Sequence, residues 1–166
     1  IRTGGDLSAI GGSGANMTAA VQSMAGFQTI GSTSIFGNDP SGAILVQAGS
    51  GNGAAAFINA ATGQTIDAGG TITVAGNAAG AYAEIVTAAG SQTIGNVGGS
   101  NDRTDTITLA GGSAAGGYAR VAAAAGSQTV RTGANLVLAG GAGDNAGALL
   151  LSGTGQTLTV QGGLSM

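Results

Sequence analysis

The chain has 166 residues and a mass of 15.3 kDa, with 35 Gly, 33 Ala, one Pro, 43% hydrophobic residues and a mean hydropathy of +0.33, a composition that reads as ordered but thin-cored rather than as a solvated disordered tail. Four Arg and seven acidic residues give a net charge of -3, and there is no Lys, His or Cys, which removes most side chains of acid–base, nucleophilic and transition-metal chemistry. No basic stripe is present to neutralise phosphates, so nucleic acid is not an expected partner, and no run reaches the roughly 18 to 20 apolar residues of a membrane-spanning helix.

Five Gln-Thr pairs set the frame. They begin at Gln28, Gln64, Gln92, Gln128 and Gln156, with spacings of 36, 28, 36 and 28 residues. Around them recurs a pattern of three short extended segments separated by Gly-rich turns. Such a unit cannot bury its apolar side alone, but stacked copies enclose a continuous core. The pattern predicts an all-β, parallel β-solenoid of about five coils with three short strands per coil. The whole chain forms one such domain, its coils running roughly 1–27, 28–63, 64–91, 92–127 and 128–155, with a partial coil 156–166. At about 4.8 Å per coil, five coils extend about 24 Å along the axis.

Taken in chain order, Ile1-Arg2-Thr3-Gly4 matches Val130-Arg131-Thr132-Gly133, so the sequence opens in mid-motif and Ile1 and Thr3 are expected at an edge suited to further stacking. Residues 14–25 pass for a short helix on propensity, but their column matches predict a strand. Seven residues before each Gln stand Val21, Phe57, Ile85, Val121 and Leu149, and two residues earlier Ala19, Ala55, Ala83, Ala119 and Gly147; these are expected to form one large and one small inward column. Gln and the apolar residue two positions later share a strand face. If Ile94 is inside, Gln92 is too, and the five Gln should bond to one another as an amide ladder, leaving Thr29, Thr65, Thr93, Thr129 and Thr157 as an outer hydroxyl row.

Two eight-residue extensions follow alternate Gln-Thr strands, and both carry Asn-Asp: Phe36-Gly37-Asn38-Asp39-Pro40 and Gly99-Ser100-Asn101-Asp102-Arg103. With Asp67 and Asp105 they predict an acidic loop edge, read first as solvated turns and second as a weak calcium or glycan site. No other cofactor is expected. A carboxylate pair of Asp39 and Asp102 as a glycosidase site lacks any feature that would raise a pKa, so the chain is not expected to be an enzyme. Alternation of Ile72 and Val74 with Thr71 and Thr73, and of Ile107 and Leu109 with Thr106 and Thr108, marks a further strand in each coil. Glu84 and Arg120 share a column and should make an exposed cross-coil ion pair; Tyr82 and Tyr118 should stack. Gly140-Gly141-Ala142-Gly143-Asp144-Asn145 matches a calcium-binding repeat only once and is read as a glycine turn. The last strand, Gln156-Thr157-Leu158-Thr159-Val160, is a stacking edge like the first, and Leu164 and Met166 take the positions of Leu136 and Leu138.

The Gly/Ala/Thr-rich coils with Gly-Ser-Gln-Thr-Ile at 90–94 and its counterpart at 126–130 resemble the repeat regions of filamentous-haemagglutinin-like proteins, although the coil typical of that family is shorter than 28 residues. The resemblance implies a secreted bacterial surface protein, extracellular, folded as a right-handed β-helix and acting as adhesin or matrix fibre. The expected role is therefore structural: a fibre, biofilm-matrix or adhesin element assembling by axial strand stacking. Its partners would be copies of itself, head to tail, or neighbouring repeats of one long chain, with cell-surface or matrix glycans as further targets. The alternative is a monomeric β-solenoid binding module, taking ice through Thr rows or a glycan or calcium at the acidic edge.

Overall fold

The computed structural model describes residues 1, 5–31, 42–97 and 103–166. The expectations placed on Thr3, Asp39 and Asp102 lie outside these residues. The described chain is all-β, sixteen strands in three parallel sheets. The first sheet stacks β1 (Leu7–Ile10), β4 (Ile44–Gln47), β7 (Ile72–Ala75), β10 (Ile107–Ala110), β13 (Leu136–Ala139) and β16 (Leu164–Ser165). The second stacks β2 (Thr18–Ser23), β5 (Ala55–Ala60), β8 (Ala83–Thr87), β11 (Ala119–Ala123) and β14 (Ala148–Ser152). The third stacks β3 (Phe27–Ile30), β6 (Gly63–Ile66), β9 (Gln92–Ile94), β12 (Ser127–Thr132) and β15 (Gly155–Val160). The chain visits the three sheets in constant order five times and begins a sixth circuit with β16, which is a β-solenoid of about five coils.

Sequence dictates this because each strand alternates. Ile72 and Val74, Ala83 and Ile85, and Gln92 and Ile94 all point inward and are buried, and Ile58, Ile66, Ile85, Ile94 and Leu136 are fully buried. Complete burial of an Ile side chain contributes about 1.5–3 kcal/mol, and a coil has only a few such residues. Stability therefore depends on neighbours above and below rather than on any one circuit. The segment before β2 forms a turn and β2 itself is extended, as its columns required.

One column prediction is corrected. In the second sheet Val21 faces Ile58, Ile58 faces Ile85, Ile85 faces Val121 and Val121 faces Leu150. The inward large column is thus Val21, Ile58, Ile85, Val121 and Leu150. Phe57 and Leu149 lie in the outward column beside Glu84 and Arg120, and Ala56 and Ala148 replace Ala55 and Gly147 in the small inward column. The cause is the corner between the second and third sheets, which holds one residue fewer after β5 and β14 than after β8 or β11. A fixed offset from Gln cannot see that slip, because a period-two strand turns every side chain over when it moves by one.

The corner between the first and second sheets is held by a column of left-handed residues. Asn16, Gly53, Gly80, Gly116 and Asn145 have φ of 56, 68, 63, 70 and 58°. They stack because Asn16 N–H donates to Asn52 O, Gly53 N–H to Ala79 O, Gly80 N–H to Ala115 O and Gly116 N–H to Asp144 O. Gly serves the three inner coils and Asn, the side chain most tolerant of this region, the two outer ones.

The extensions leave and re-enter at one corner. Both follow a strand of the third sheet (β3 and β9) and precede one of the first (β4 and β10), two coils apart, as the alternation of spacings required. Asn96 and Thr104 close the base of the second: Thr104 N–H donates to Asn96 O at 3.0 Å, and Asn96 N–H to Thr104 Oγ1 at 3.1 Å.

The glutamine ladder and the two end coils as candidate functional surfaces

Gln28, Gln64, Gln92 and Gln128 are buried, and their strands pair Gln to Gln throughout the third sheet. Each amide bonds to the next. Gln64 Nε2 donates to Gln28 Oε1 at 2.7 Å, Gln92 Nε2 to Gln64 Oε1 at 2.9 Å, Gln128 Nε2 to Gln92 Oε1 at 2.8 Å and Gln156 Nε2 to Gln128 Oε1 at 2.5 Å. The second hydrogen of the three inner amides goes to the facing strand of the second sheet: to Ile58 O at 3.3 Å, Ile85 O at 3.2 Å and Val121 O at 3.2 Å. Those carbonyls fix which end of each amide is nitrogen, since the opposite orientation would set oxygen against oxygen. The sequence distance from Gln to carbonyl is six residues for Gln64 and seven for Gln92 and Gln128, the same one-residue slip that displaced Phe57 and Leu149.

A second internal polar stack escaped the sequence reading. Thr104 and Thr132 are fully buried. Thr104 Oγ1 donates to Ala68 O at 2.8 Å and Thr132 Oγ1 to Asp105 O. Thr132 stands four residues after Gln128 and Thr104 twelve after Gln92, so excising the eight-residue extension would have aligned them.

On the outer face of the second sheet Arg120 Nη2 lies 2.7 Å from Glu84 Oε1, the cross-coil pair expected. The pair is less exposed than expected, because Glu84 is only 7% exposed: Tyr118 Oη donates to the same oxygen at 2.7 Å, and the Tyr118 ring stacks on Tyr82 with centroids 5.3 Å apart and an 8° interplanar angle. Burial, and after it the hydrogen bond to Glu84, pushes the Tyr118 hydroxyl well above the ordinary tyrosine range. The acidic edge is only partly an edge. Asp105 is exposed, whereas Asp67 is buried and accepts a hydrogen bond from Asn96 Nδ2 at 3.4 Å. Among the described residues no group of three or more His, Cys, Asp or Glu converges as a metal cluster would, and no helix is long and apolar enough to cross a membrane.

The two ends differ from everything between them. Ile1, Ile10, Met17, Met24 and Phe27 are the exposed large apolar residues of the first coil, and Leu149, Leu151, Leu158, Leu164 and Met166 those of the last. Among the described residues no inner coil has one. Ile1 already behaves as a rung below β3: its amino group donates to Thr29 O at 2.8 Å, and Gly31 N–H donates to Ile1 O at 3.1 Å. This sets Ile1 beneath Ile30, the position that its match to Val130 predicted. At the far end every residue of β15 except Val160 is exposed; Thr157 and Thr159 point outward, and Leu158 and Val160 point along the inward columns over Val130 and Thr132. Polar backbone groups and apolar side chains are thus presented together on both end coils.

No family model, no curated protein and no solved structure matches the chain.

Proposed function

We propose that the chain is a structural element of an extracellular fibre, biofilm matrix or bacterial surface adhesin, built up by axial stacking of solenoid coils, and that it performs no catalysis. The reading is carried by one observation: among the described residues, exposed large apolar side chains are confined to the two end coils, where each of the three sheets ends. Open edges with apolar flanks are templates for pairing, and proteins that stay monomeric cover or charge them. Here the nearest partner chemistry is another coil of the same kind, either in a second copy or in neighbouring repeats of a longer chain. Electron microscopy and fibre diffraction of the purified protein at neutral pH test this. Elongated particles with an axial spacing near ~4.8 Å are the expected result for stacking of separate copies; compact monomers at every concentration would refute that form and leave only stacking within one longer chain.

A monomeric binding module is the second reading, favoured by the stacked outer row Thr29, Thr65, Thr93, Thr129 and Thr157. Thermal hysteresis in the monomer would establish that alternative as an ice-binding one.

A further inference from the structure

The chain holds two tyrosines and no cysteine, and the fold brings the two tyrosines together. Tyr82 stands just before β8 and Tyr118 just before β11, strands that pair in parallel with Ala83 beside Ala119, and Ala83 N–H donates to Tyr118 O at 3.0 Å. The rings therefore lie one above the other on the outer face of the second sheet, half-buried, with centroids 5.3 Å apart and planes 8° from parallel. Both belong to inner coils, so the stack is independent of whatever meets the end coils. The Tyr118 hydroxyl keeps its proton far above neutral pH, so an electron leaves that ring readily only if the proton has somewhere to go. Glu84 Oε1 accepts its hydrogen bond at 2.7 Å, and Arg120 Nη2, 2.7 Å from the same oxygen, holds the carboxylate in place.

We propose that Tyr82 and Tyr118 form an oxidative cross-linking site, at which one-electron oxidants such as peroxidase intermediates join the two rings carbon to carbon and staple neighbouring coils, with Glu84 accepting the Tyr118 proton. Each ring gives up one electron and its hydroxyl proton, that of Tyr118 to Glu84 and that of Tyr82 to water. The two phenoxyl radicals couple through ring carbons ortho to their oxygens, and the hydrogen on each coupled carbon then moves to oxygen, restoring both phenols. In sum one C–C bond replaces two C–H bonds, and two electrons and two protons leave; hydrogen peroxide, acting through a peroxidase, takes up both and becomes two water molecules. The stack favours coupling because it turns an encounter between two radicals into a step within one molecule. The outward, half-exposed placement of the rings admits a small oxidant and lets both pivot about their Cα–Cβ bonds as the new bond closes. That bond fixes the loop from 82 to 118, which includes the second extension, and stabilises the fold by restricting the unfolded chain.

With only two tyrosines the test is unambiguous. Photogenerated ruthenium(III) tris-bipyridyl with persulfate is a small one-electron oxidant that works in buffer and in urea alike, and each persulfate takes two electrons to become two sulfates. Trypsin cuts after Arg103 and Arg120, so the two tyrosines leave in separate peptides, 3–103 and 104–120. The expected result on dilute protein is a chain of unchanged size that gains dityrosine fluorescence, yields those two peptides joined, and unfolds at a higher urea concentration than before. The within-chain product should form at least about tenfold faster in buffer than in urea, and Tyr82→Phe, which keeps the ring, should abolish it. Links found only between separate chains, or equal within-chain rates in buffer and urea, would overturn the site. Glu84→Gln keeps an acceptor for the Tyr118 hydroxyl but cannot take its proton. It is expected to slow the reaction about tenfold and to remove the slowing that the unsubstituted chain shows in deuterated water, while far-UV circular dichroism still reports a folded chain. An unchanged rate and isotope effect in Glu84→Gln would overturn the role given to Glu84.

Discussion

At the scale of the residue, two side chains carry tests of the ladder and of the outer face. Gln92 is the central rung, and Gln92→Leu removes a donor from Gln64 Oε1 and an acceptor from Gln128 Nε2. Each group left unpaired in the core costs about 1–3 kcal/mol, although Gln128 keeps its bond to Val121 O. Urea unfolding is expected to show a loss of about 2–3 kcal/mol, against about 1 kcal/mol for Gln156→Leu at the open end. Tyr118 carries a pH signature. Its folded hydroxyl ionises above the unfolded one, which titrates near 10.0, so its contribution to stability is complete below that pH and is lost as the pH rises beyond it. The thermal midpoint should begin to fall once the pH rises past about 10, the pH of unfolded tyrosine ionisation, and Tyr118→Phe should flatten the fall. An equally steep fall in Tyr118→Phe would place its cause elsewhere.

At the scale of the element, the corners rather than the strands decide where side chains point. Strand identity was legible because Ile-Thr-Val and Gln-Thr-Ile alternate, and the ladder was legible because Gln is costly inside unless it is paired. The outward turn of Phe57 and Leu149 was not legible. A corner can lose one residue without changing the Gln spacing, since another segment of the same coil makes up the difference, and only the register shows it. Both the aligned Ala columns and the exposed character expected of Glu84 failed to anticipate the hydrogen bond from the Tyr118 hydroxyl to that carboxylate. The left-handed column at the other corner gives a sharp comparison. At Gly80 an added Cβ would meet only ordinary contacts, the nearest being Asn52 Oδ1 at 3.6 Å, so the cost of substitution is conformational. Gly80→Ala is expected to cost about 1–2 kcal/mol, and Gly80→Asn distinctly less, because Asn already holds this place at Asn16 and Asn145. Equal losses in calorimetry would contradict the conformational account.

At the scale of the whole molecule, the repeat was readable and the role was not. Five Gln-Thr pairs announce coils, their number and the corner at which alternate coils carry extra residues, because each follows from spacing alone. Under the proposed axial stacking, function depends on what the end coils meet, and a sequence read without its partner contains only half of that contact. The Thr104–Thr132 stack was hidden for a simpler reason, an insertion that shifts one member by eight positions.

The alternation of 28 and 36 residues between successive Gln also has a mechanical meaning. Backbone hydrogen bonds between coils run along the axis, so a pull applied through the two ends of the chain loads them in tension and peels coils away one after another. Each coil folded occupies about 5 Å of axis but, drawn out, spans about 95 Å or about 120 Å. Under load the chain would lengthen in a long-short-long rhythm, and a tether woven from it would lose energy in steps before it broke.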